Sequence, residues 1–412
     1  MKMRQSLHYA AATAAIAAML ATVPVFAQRT SGPKQRYEMD VATMSGMGAP
    51  GSGGAAMGSM VGMMLGGREN PVTHMMQLRL GSGQTPATPP VKADHFFEPQ
   101  AKLGASLPLW SPERSQPGTS DMPFDPPKGR LLLYWGCGAK AGPGQPVVID
   151  FSKLAAGQTP PNLFSTAAPL IRTVSEANSA AYADWPNRKS GKAIPRGSSL
   201  LGTHRIASNV GTDIRFTLDQ DYMPGLRVST QEQGDGSVLL RWDPVAAATG
   251  YVAWTFGSTD RGQGDMIWWT SSNSREFGGG LWDWLPPATV AKLVAQKIVM
   301  PPAQTSCQIP AEVKKASGEM MFGNLNAFGP EAQFSYPPKP AGNAPWIIDW
   351  TAKVRFRSAA TLMIGADFGG LSGGGDTGGS DNADREDENS APRKKKKKCK
   401  GPLGIPLPDA AC

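Results

Sequence analysis

The chain has 412 residues and a formal net charge of +8, with 48 glycines and 37 prolines. Two of the positive charges lie in the first 27 residues and seven lie between residues 393 and 400, so the rest of the chain sums to −1. A nucleic-acid-binding domain displays a basic face on its folded body, so no nucleic-acid partner is expected. The many turn formers, and the scarcity of long helical periodicity, predict a β-rich protein.

The first 27 residues resemble a secretory signal peptide. Lys2 and Arg4 precede an uncharged apolar run, and Val25-Phe26-Ala27 places small residues before Gln28. The alternative is an N-terminal membrane anchor, but the run is shorter than the roughly 20 apolar residues that span a bilayer. The mature protein is therefore expected to be exported, periplasmic or extracellular, and bound peripherally to the cell envelope.

Residues 28–91 are rich in methionine, glycine and serine, a composition that predicts a largely disordered N-terminal extension, in which only residues 75–80 hint at a short strand. Within it, Gly54–Gly67 has a glycine at every fourth position. Three interpretations remain open: a linker, a helix that associates with a membrane or with itself through its small residues, and a copper-binding tract. Thioethers suit Cu(I), and the candidate metal ligands are Met44, Met47, Met57, Met60, Met63, His74, Met75 and Met76.

Residues 92–222 are expected to form an all-β domain of no recognised family. Apolar runs at 130–135 and 146–151 and the alternating segment 214–218 have the lengths and patterns of strands. Glycine and proline clusters separate these runs and indicate turns.

The next region, residues 223–365, contains a motif that resembles a known family. Val238, Leu240 and Trp242 share one strand face, Asp243-Pro244 ends that strand, and Tyr251 opens the next one. This pattern resembles strands B and C of a fibronectin type III domain, and residues 324–338 are similar to its F–G hairpin. The resemblance, over residues 224–338 at most, implies a β-sandwich with a binding or spacing role.

The segment 257–318 is too long for the family's usual connection and is interpreted as an insertion. A proline at its start and an apolar stripe predict a helix from Pro287 to about Val299. Tryptophan can stack on sugars, so four tryptophans of the insertion are candidate glycan contacts, the alternative being that they pack the core: Trp268, Trp269, Trp282 and Trp284.

Residues 350–357 alternate apolar with polar side chains and predict a half-exposed edge strand.

Residues 366–412 are expected to form a glycine-rich acidic linker followed by a basic tail. Calcium binding is the alternative interpretation of the acidic linker. The tail is predicted either to contact an anionic envelope surface or polymer or to be merely solvated, and its charged residues are Arg393, Lys394, Lys395, Lys396, Lys397, Lys398 and Lys400.

Catalysis is not expected. Gly370–Gly374 matches the G-x-S-x-G pattern, but a nucleophile elbow needs a helix after it, and here a glycine-rich tail follows.

Disulfides are the default state of cysteines in an oxidising compartment. Because of their short separation, Cys399 and Cys412 are predicted to pair, which leaves Cys137 and Cys307 to pair or to stay free.

Together these features predict an all-β protein with two β-sandwich-like domains, the second fibronectin type III-like with an inserted short helix, and disordered tails. The function expected is that of an exported, envelope-associated binding or scaffolding protein without catalytic activity, which contacts a protein or a glycan. The alternatives are a periplasmic copper-handling protein and a glycan-binding or glycan-active protein. The sequence does not define an oligomeric state.

Overall fold

The computed structural model describes residues 32–46, 72–112, 129–155, 164–168, 170–187, 191–259, 264–318, 320–341 and 345–365. These residues form an all-β fold with few short helices, as predicted. The strands are β1 (Gln35–Gly46), β2 (Thr73–Ser82), β3 (Lys92–Phe96), β4 (Ser106–Trp110), β5 (Arg130–Trp135), β6 (Val147–Asp150), β7 (Ala181–Trp185), β8 (Gly202–Ser208), β9 (Ile214–Leu218), β10 (Val228–Glu232), β11 (Val238–Trp242), β12 (Gly250–Ser258), β13 (Met266–Thr270), β14 (Ser306–Ile309), β15 (Met321–Tyr336) and β16 (Trp350–Ile364). The helices are α1 (Phe151–Ala155), α2 (Pro287–Ala295) and α3 (Ala311–Ala316), with 3-10 turns at Pro99–Ala101, Glu176–Asn178 and Gly279–Trp282.

Thirteen strands form one large sheet in the order β6-β5-β13-β12-β15-β16-β1-β2-β7-β4-β3-β8-β9. Neighbours are antiparallel except for two parallel pairs, β1 with β16 and β5 with β13. The β9 end of the sheet folds over β1 and β15, where Phe216 stacks on Phe334 with 4.8 Å between ring centroids and lies 6.3 Å from Tyr37. The remaining strands form a small sheet in the order β10-β11-β14.

The large sheet crosses the predicted boundary between residues 222 and 223. Strands β5 and β6 come from the first predicted domain, yet β5 pairs with β13 of the second. β1, which precedes both, pairs with β16 at the other end of the chain. The two predicted domains therefore share one sheet. The predicted boundary between residues 222 and 223 is corrected accordingly, because strands from both sides of it pair with each other.

The prediction that residues 28–91 are largely disordered is wrong for two stretches, β1 and β2. The two strands pair with each other, and β1 is central because β16 pairs along its other edge. Tyr37, Met39 and Val41 alternate along β1 and point into the main core. The glycine-, serine- and methionine-rich residues that follow β1 in the sequence concealed this alternation of apolar side chains with Glu38 and Asp40.

The region with the fibronectin-like motif forms the expected strands β11 and β12 and passes from the small sheet to the large one between them. The predicted F–G hairpin at 324–338 is wrong: residues 321–336 are one long strand, β15, and its antiparallel partner is β16. A register shift between Phe328 and Glu331 accommodates Pro330, which has no amide hydrogen for the ladder.

The helix predicted from Pro287 is confirmed as α2, which ends at Ala295. Val290 and Leu293 are buried in an apolar cluster with Val252 and Phe328, so α2 covers part of the outer face of the large sheet. This outer face is the side of the sheet that points away from the small sheet.

The prediction of a half-exposed edge strand at residues 350–357 is wrong. β16 lies between β15 and β1, and Arg355 is only 2% exposed. Its guanidinium donates to Asp40, Nε to Oδ1 at 2.6 Å and Nη2 to Oδ2 at 2.7 Å. A charged residue thus occupies a buried position because its counter-charge comes from the neighbouring strand.

A disulfide joins Cys137, which follows β5, to Cys307 in β14, with 5.1 Å between the Cα atoms. This pair is one that the sequence left open, and it links the large sheet to the small one. The pair predicted between Cys399 and Cys412 lies outside the described residues.

Candidate binding surface

Four aromatic residues share the outer face of three adjacent strands in the large sheet. Trp254 and Phe256 stand two residues apart on β12, which places them on one face. Phe256 is opposite Trp268 on β13 and opposite Phe322 on β15. The alternation of side chains therefore concentrates aromatic area at one end of this face.

Two more aromatic rings reach the same place from segments that cross the sheet. Trp282 ends the 3-10 turn Gly279–Trp282, and its ring lies 5.6 Å from Trp254, 5.5 Å from Trp268 and 6.4 Å from Phe256, measured between centroids. Phe164 forms a bridge with Phe277 and lies 6.5 Å from Trp268. We call this set the aromatic surface: Phe164, Trp254, Phe256, Trp268, Trp282 and Phe322.

Part of the aromatic surface faces solvent. Phe164 is 56% exposed, Phe322 47% and Trp282 39%, whereas Trp268 beneath them is 5% exposed. Large aromatic side chains are buried on average, so three exposed rings next to one another mark a surface suited to contact with another molecule.

The aromatic surface also contains polar atoms that lack hydrogen-bond partners. The indole nitrogens of Trp254 and Trp268 are buried and unpaired, and so is the side-chain oxygen of Asn324. Asn324 lies directly opposite Trp254 across the β12–β15 ladder. Buried polar groups in native proteins are nearly always hydrogen-bonded, so this place carries both donors and an acceptor that remain to be satisfied.

The four predicted glycan contacts divide among three environments. Trp268 and Trp282 belong to the aromatic surface. Trp269 points into the core on the opposite face and donates its indole hydrogen to Gly136 O at 2.9 Å. Trp284 is partly buried, and its indole nitrogen donates to Val41 O at 3.2 Å. Adjacent tryptophans on a strand point to opposite faces, so Trp268 and Trp269 could not both face one ligand.

A cation lies beside this surface. The guanidinium of Arg357 stacks on the ring of Trp284 at 3.6 Å and donates from Nη1 to Trp282 O at 2.9 Å. Its Nε is buried without a partner, and burial lowers the pKa of Arg357 to about 10. Arg357 thereby fixes the backbone that carries Trp282 and holds that ring in place.

The predicted metal ligands that the structure describes lie on two faces of β2 and β1. Met44 and Met75 share a small apolar cluster with Trp284 on the outer face. His74 stacks on Tyr222 at 3.9 Å on the inner side, where its Nδ1 is 3.3 Å from Thr43 Oγ1, and Met76 is buried in the main core. The four side chains are therefore not gathered around one point.

The other predicted ligands, Met47, Met57, Met60 and Met63, lie outside the described residues, and copper binding stays a prediction. Within the described part of the chain, no group of three or more His, Cys, Asp or Glu side chains is placed to hold a metal ion.

No helix in that part is long and apolar enough to cross a membrane. The basic tail, the acidic linker and residues 370–374 are also outside it.

A buried chain of hydrogen bonds was not found from the sequence, because its members are distant along the chain. Tyr37 Oη lies 2.6 Å from His95 Nδ1, His95 Nε2 lies 2.9 Å from His204 Nδ1, and His204 Nε2 lies 2.7 Å from Leu200 O. A carbonyl oxygen can only accept, so His204 Nε2 donates to Leu200 O. With both histidines neutral, His95 Nε2 then donates to His204 Nδ1, and Tyr37 Oη donates to His95 Nδ1. Burial lowers the pKa of both histidines, and for His95 the neighbouring His204 lowers it further. This chain is enclosed in the core and offers no access to a substrate.

Comparison with known proteins gives no relatives for this chain. No family model matches it, and neither a curated protein nor a solved structure shows significant similarity.

Proposed function

We propose that this protein is an exported, envelope-associated binding protein that holds a glycan on the aromatic surface. The observation that supports the proposal is the coincidence of exposed rings with unpaired polar atoms. Phe164, Trp282 and Phe322 supply flat apolar area, and Trp254 Nε1 and Asn324 Oδ1 lack partners at the same place.

Carbohydrates match both properties. A sugar ring has an apolar C–H face that stacks on an aromatic ring, and its hydroxyl groups both donate and accept hydrogen bonds. Binding sites for small polar ligands combine aromatic area with a few polar groups, so this combination favours a hydroxylated ligand over a purely apolar peptide.

The strand arrangement is consistent with a fibronectin type III-like unit within the larger fold. The small sheet has the order β10-β11-β14, and the facing part of the large sheet has the order β13-β12-β15-β16. A sandwich of this family pairs a sheet A-B-E with a sheet containing C, F and G. We propose that β10 to β16 correspond, in chain order, to strands A, B, C, C′, E, F and G, so that the extra residues of the segment 257–318 lie between C′ and E.

The basic tail would tether the protein to an anionic envelope surface. Each lysine near such a surface contributes about 1 kcal/mol at most, so seven charges would suffice for reversible retention. Removal of residues 376–412 should then release the protein from envelope fractions, and high salt should do the same to the intact protein, because the Debye length falls from about 10 Å at 0.1 M to about 3 Å at 1 M. Equal retention of both forms at every salt concentration would show that the tail has no tethering role.

The glycan proposal is tested with the mature protein, labelled and applied to an array of bacterial and plant oligosaccharides. Binding to a defined oligosaccharide in the presence of 1 M salt is expected, because stacking is insensitive to screening. Binding that occurs only to acidic glycans and disappears in salt would assign the interaction to charge and would contradict a role for the aromatic surface.

A further inference from the structure

A second concave site lies on the opposite side of the molecule, on the outer face of the small sheet. It is a cleft of about 490 Å³ at the end where β10 begins and β11 ends. We call it the arginine cleft, and its lining residues are Arg227, Val228, Ser229, Arg241, Trp242, Asp243, Thr305 and Ser306.

The strand register places two guanidinium groups in this cleft. Arg241 on β11 is directly opposite Ser229 on β10 and Ser306 on β14, so a hydroxyl flanks it on each side. Arg227 immediately precedes β10 and lies beside Asp243, whose amide nitrogen donates to Arg227 O at 3.2 Å. Diagonal neighbours on one face of an antiparallel pair are within reach of long side chains, so Arg227 and Arg241 can contact the same small group.

The positive charge of the arginine cleft is not neutralised within the described residues. Neither guanidinium forms an ion pair or a side-chain hydrogen bond there, although Asp243 lines the same cleft, whereas Arg130, Arg205 and Arg215 each pair with an aspartate. The cleft thus presents donors in excess of acceptors.

We propose that the arginine cleft binds an oxyanion, a carboxylate or phosphate group carried by an anionic polymer. Two planar guanidinium groups match the paired oxygens of such a group, and the serine hydroxyls can donate to its remaining oxygens. The volume of the cleft is in the range of small-molecule sites. This inference is independent of the glycan proposal, because the two sites lie on different sheets.

The test is titration of the full-length protein with inorganic phosphate and, separately, with glucuronate, followed by NMR of the arginine side chains. Saturable shifts of Arg227 and Arg241 are expected with at least one ligand, and the ligand that binds more tightly identifies the oxyanion. The Arg227→Gln and Arg241→Gln variants should each weaken binding at least about tenfold, because each loses charged hydrogen-bond donors to the oxyanion.

Two controls keep the outcome unambiguous. Arg275→Gln removes another exposed arginine that lies outside the cleft and should leave binding unchanged. Asp243→Asn removes the only carboxylate among the lining residues and should strengthen binding severalfold. No saturable shift with either ligand up to about 50 mM, or equal weakening by Arg275→Gln, would overturn the proposal.

Discussion

At the scale of single residues, the most constrained group is the buried charge cluster formed by Asp40, Arg79 and Arg355. Arg355 is hydrogen-bonded to both carboxylate oxygens of Asp40, and Arg79 Nη1 lies 2.5 Å from Asp40 Oδ2. Arg355 also donates from Nη1 to Trp284 O at 3.3 Å. The cluster therefore ties β1, β2 and β16 to the segment that crosses the outer face.

Replacement of Asp40 by asparagine should strongly destabilise the protein. The change removes the carboxylate that accepts two hydrogen bonds from the buried guanidinium of Arg355 and leaves only Glu38, whose Oε2 lies 3.9 Å from Arg355 Nη2, as its counter-charge. Breaking a buried pair in this way costs about 3–5 kcal/mol of unfolding free energy. The measurement is urea denaturation at neutral pH. Asp349→Asn is the control, because it breaks an exposed pair with Lys34 and should cost about 1 kcal/mol or less; equal losses in the two variants would contradict the prediction.

The hydrogen-bonded chain of Tyr37, His95 and His204 predicts a pH dependence. Burial holds the pKa of both histidines below the ordinary value of 6.5 in the folded state. The unfolded chain therefore takes up protons first as the pH falls through 6.5, and the free energy of unfolding should decrease from there downwards, by up to about 1.4 kcal/mol per pH unit for each histidine. Urea denaturation between pH 7.5 and 5 measures this, and a constant free energy over that range would contradict it.

The same chain predicts the effect of removing one hydroxyl group. Tyr37→Phe leaves His95 Nδ1 buried without a donor and should cost about 1–3 kcal/mol. Tyr336→Phe removes a hydroxyl from a tyrosine that is 53% exposed and should change the stability little. Thermal unfolding of both variants at pH 7.5 distinguishes the two cases.

At the scale of elements, β1 is the strand on which the large sheet depends. It pairs with β16 on one side and with β2 on the other. Deletion of residues 28–46 should therefore prevent folding, because β2 and β16 each lose one of their two partner strands and the core loses Met39 and Val41. Deletion of 376–412 removes no described strand and should leave the circular dichroism spectrum of the body unchanged. Native-like spectra after both deletions would contradict this account.

The strands differ in how far the sequence predicts them. β11 and β12 were found because apolar residues alternate in them and Asp243-Pro244 marks the end of β11. β1 was missed because glycine, serine and methionine suggest a flexible segment. Residues 75–80 hinted at β2, because Leu78 and Leu80 alternate with polar residues there. The charged positions of β16 suggested an exposed edge, since the partner that neutralises Arg355 is Asp40, 315 positions away in the sequence.

At the scale of the whole molecule, the pairing of distant strands decides the architecture. Local pattern indicates that a strand exists, but it does not specify which neighbour it takes. The parallel pairs β1–β16 and β5–β13 join segments that the sequence assigns to separate domains. The aromatic surface has the same origin, because Trp254, Trp282 and Phe322 meet only after β12 and β15 pair and the insertion crosses them.

The disulfide between Cys137 and Cys307 should contribute measurably to the stability of the whole fold. It encloses a sequence separation of 170 residues and joins the two sheets. Replacement of both cysteines by serine should lower the unfolding free energy by about 2–5 kcal/mol, because the unfolded chain regains the freedom that the crosslink removes. An unchanged denaturation midpoint under otherwise identical conditions would show that the bond does not constrain the unfolded state.

Glycan binding by the aromatic surface can be measured by calorimetric titration of the parent protein and its variants. Against an oligosaccharide selected on the array, Trp282→Ala and Phe322→Ala should each weaken binding at least about tenfold, since exposed aromatic anchors contribute more than 1 kcal/mol. Ile347→Ala, at an apolar position that is 58% exposed away from this surface, should bind like the parent protein. Affinities unchanged in Trp282→Ala and Phe322→Ala, with both variants folded, would contradict the account.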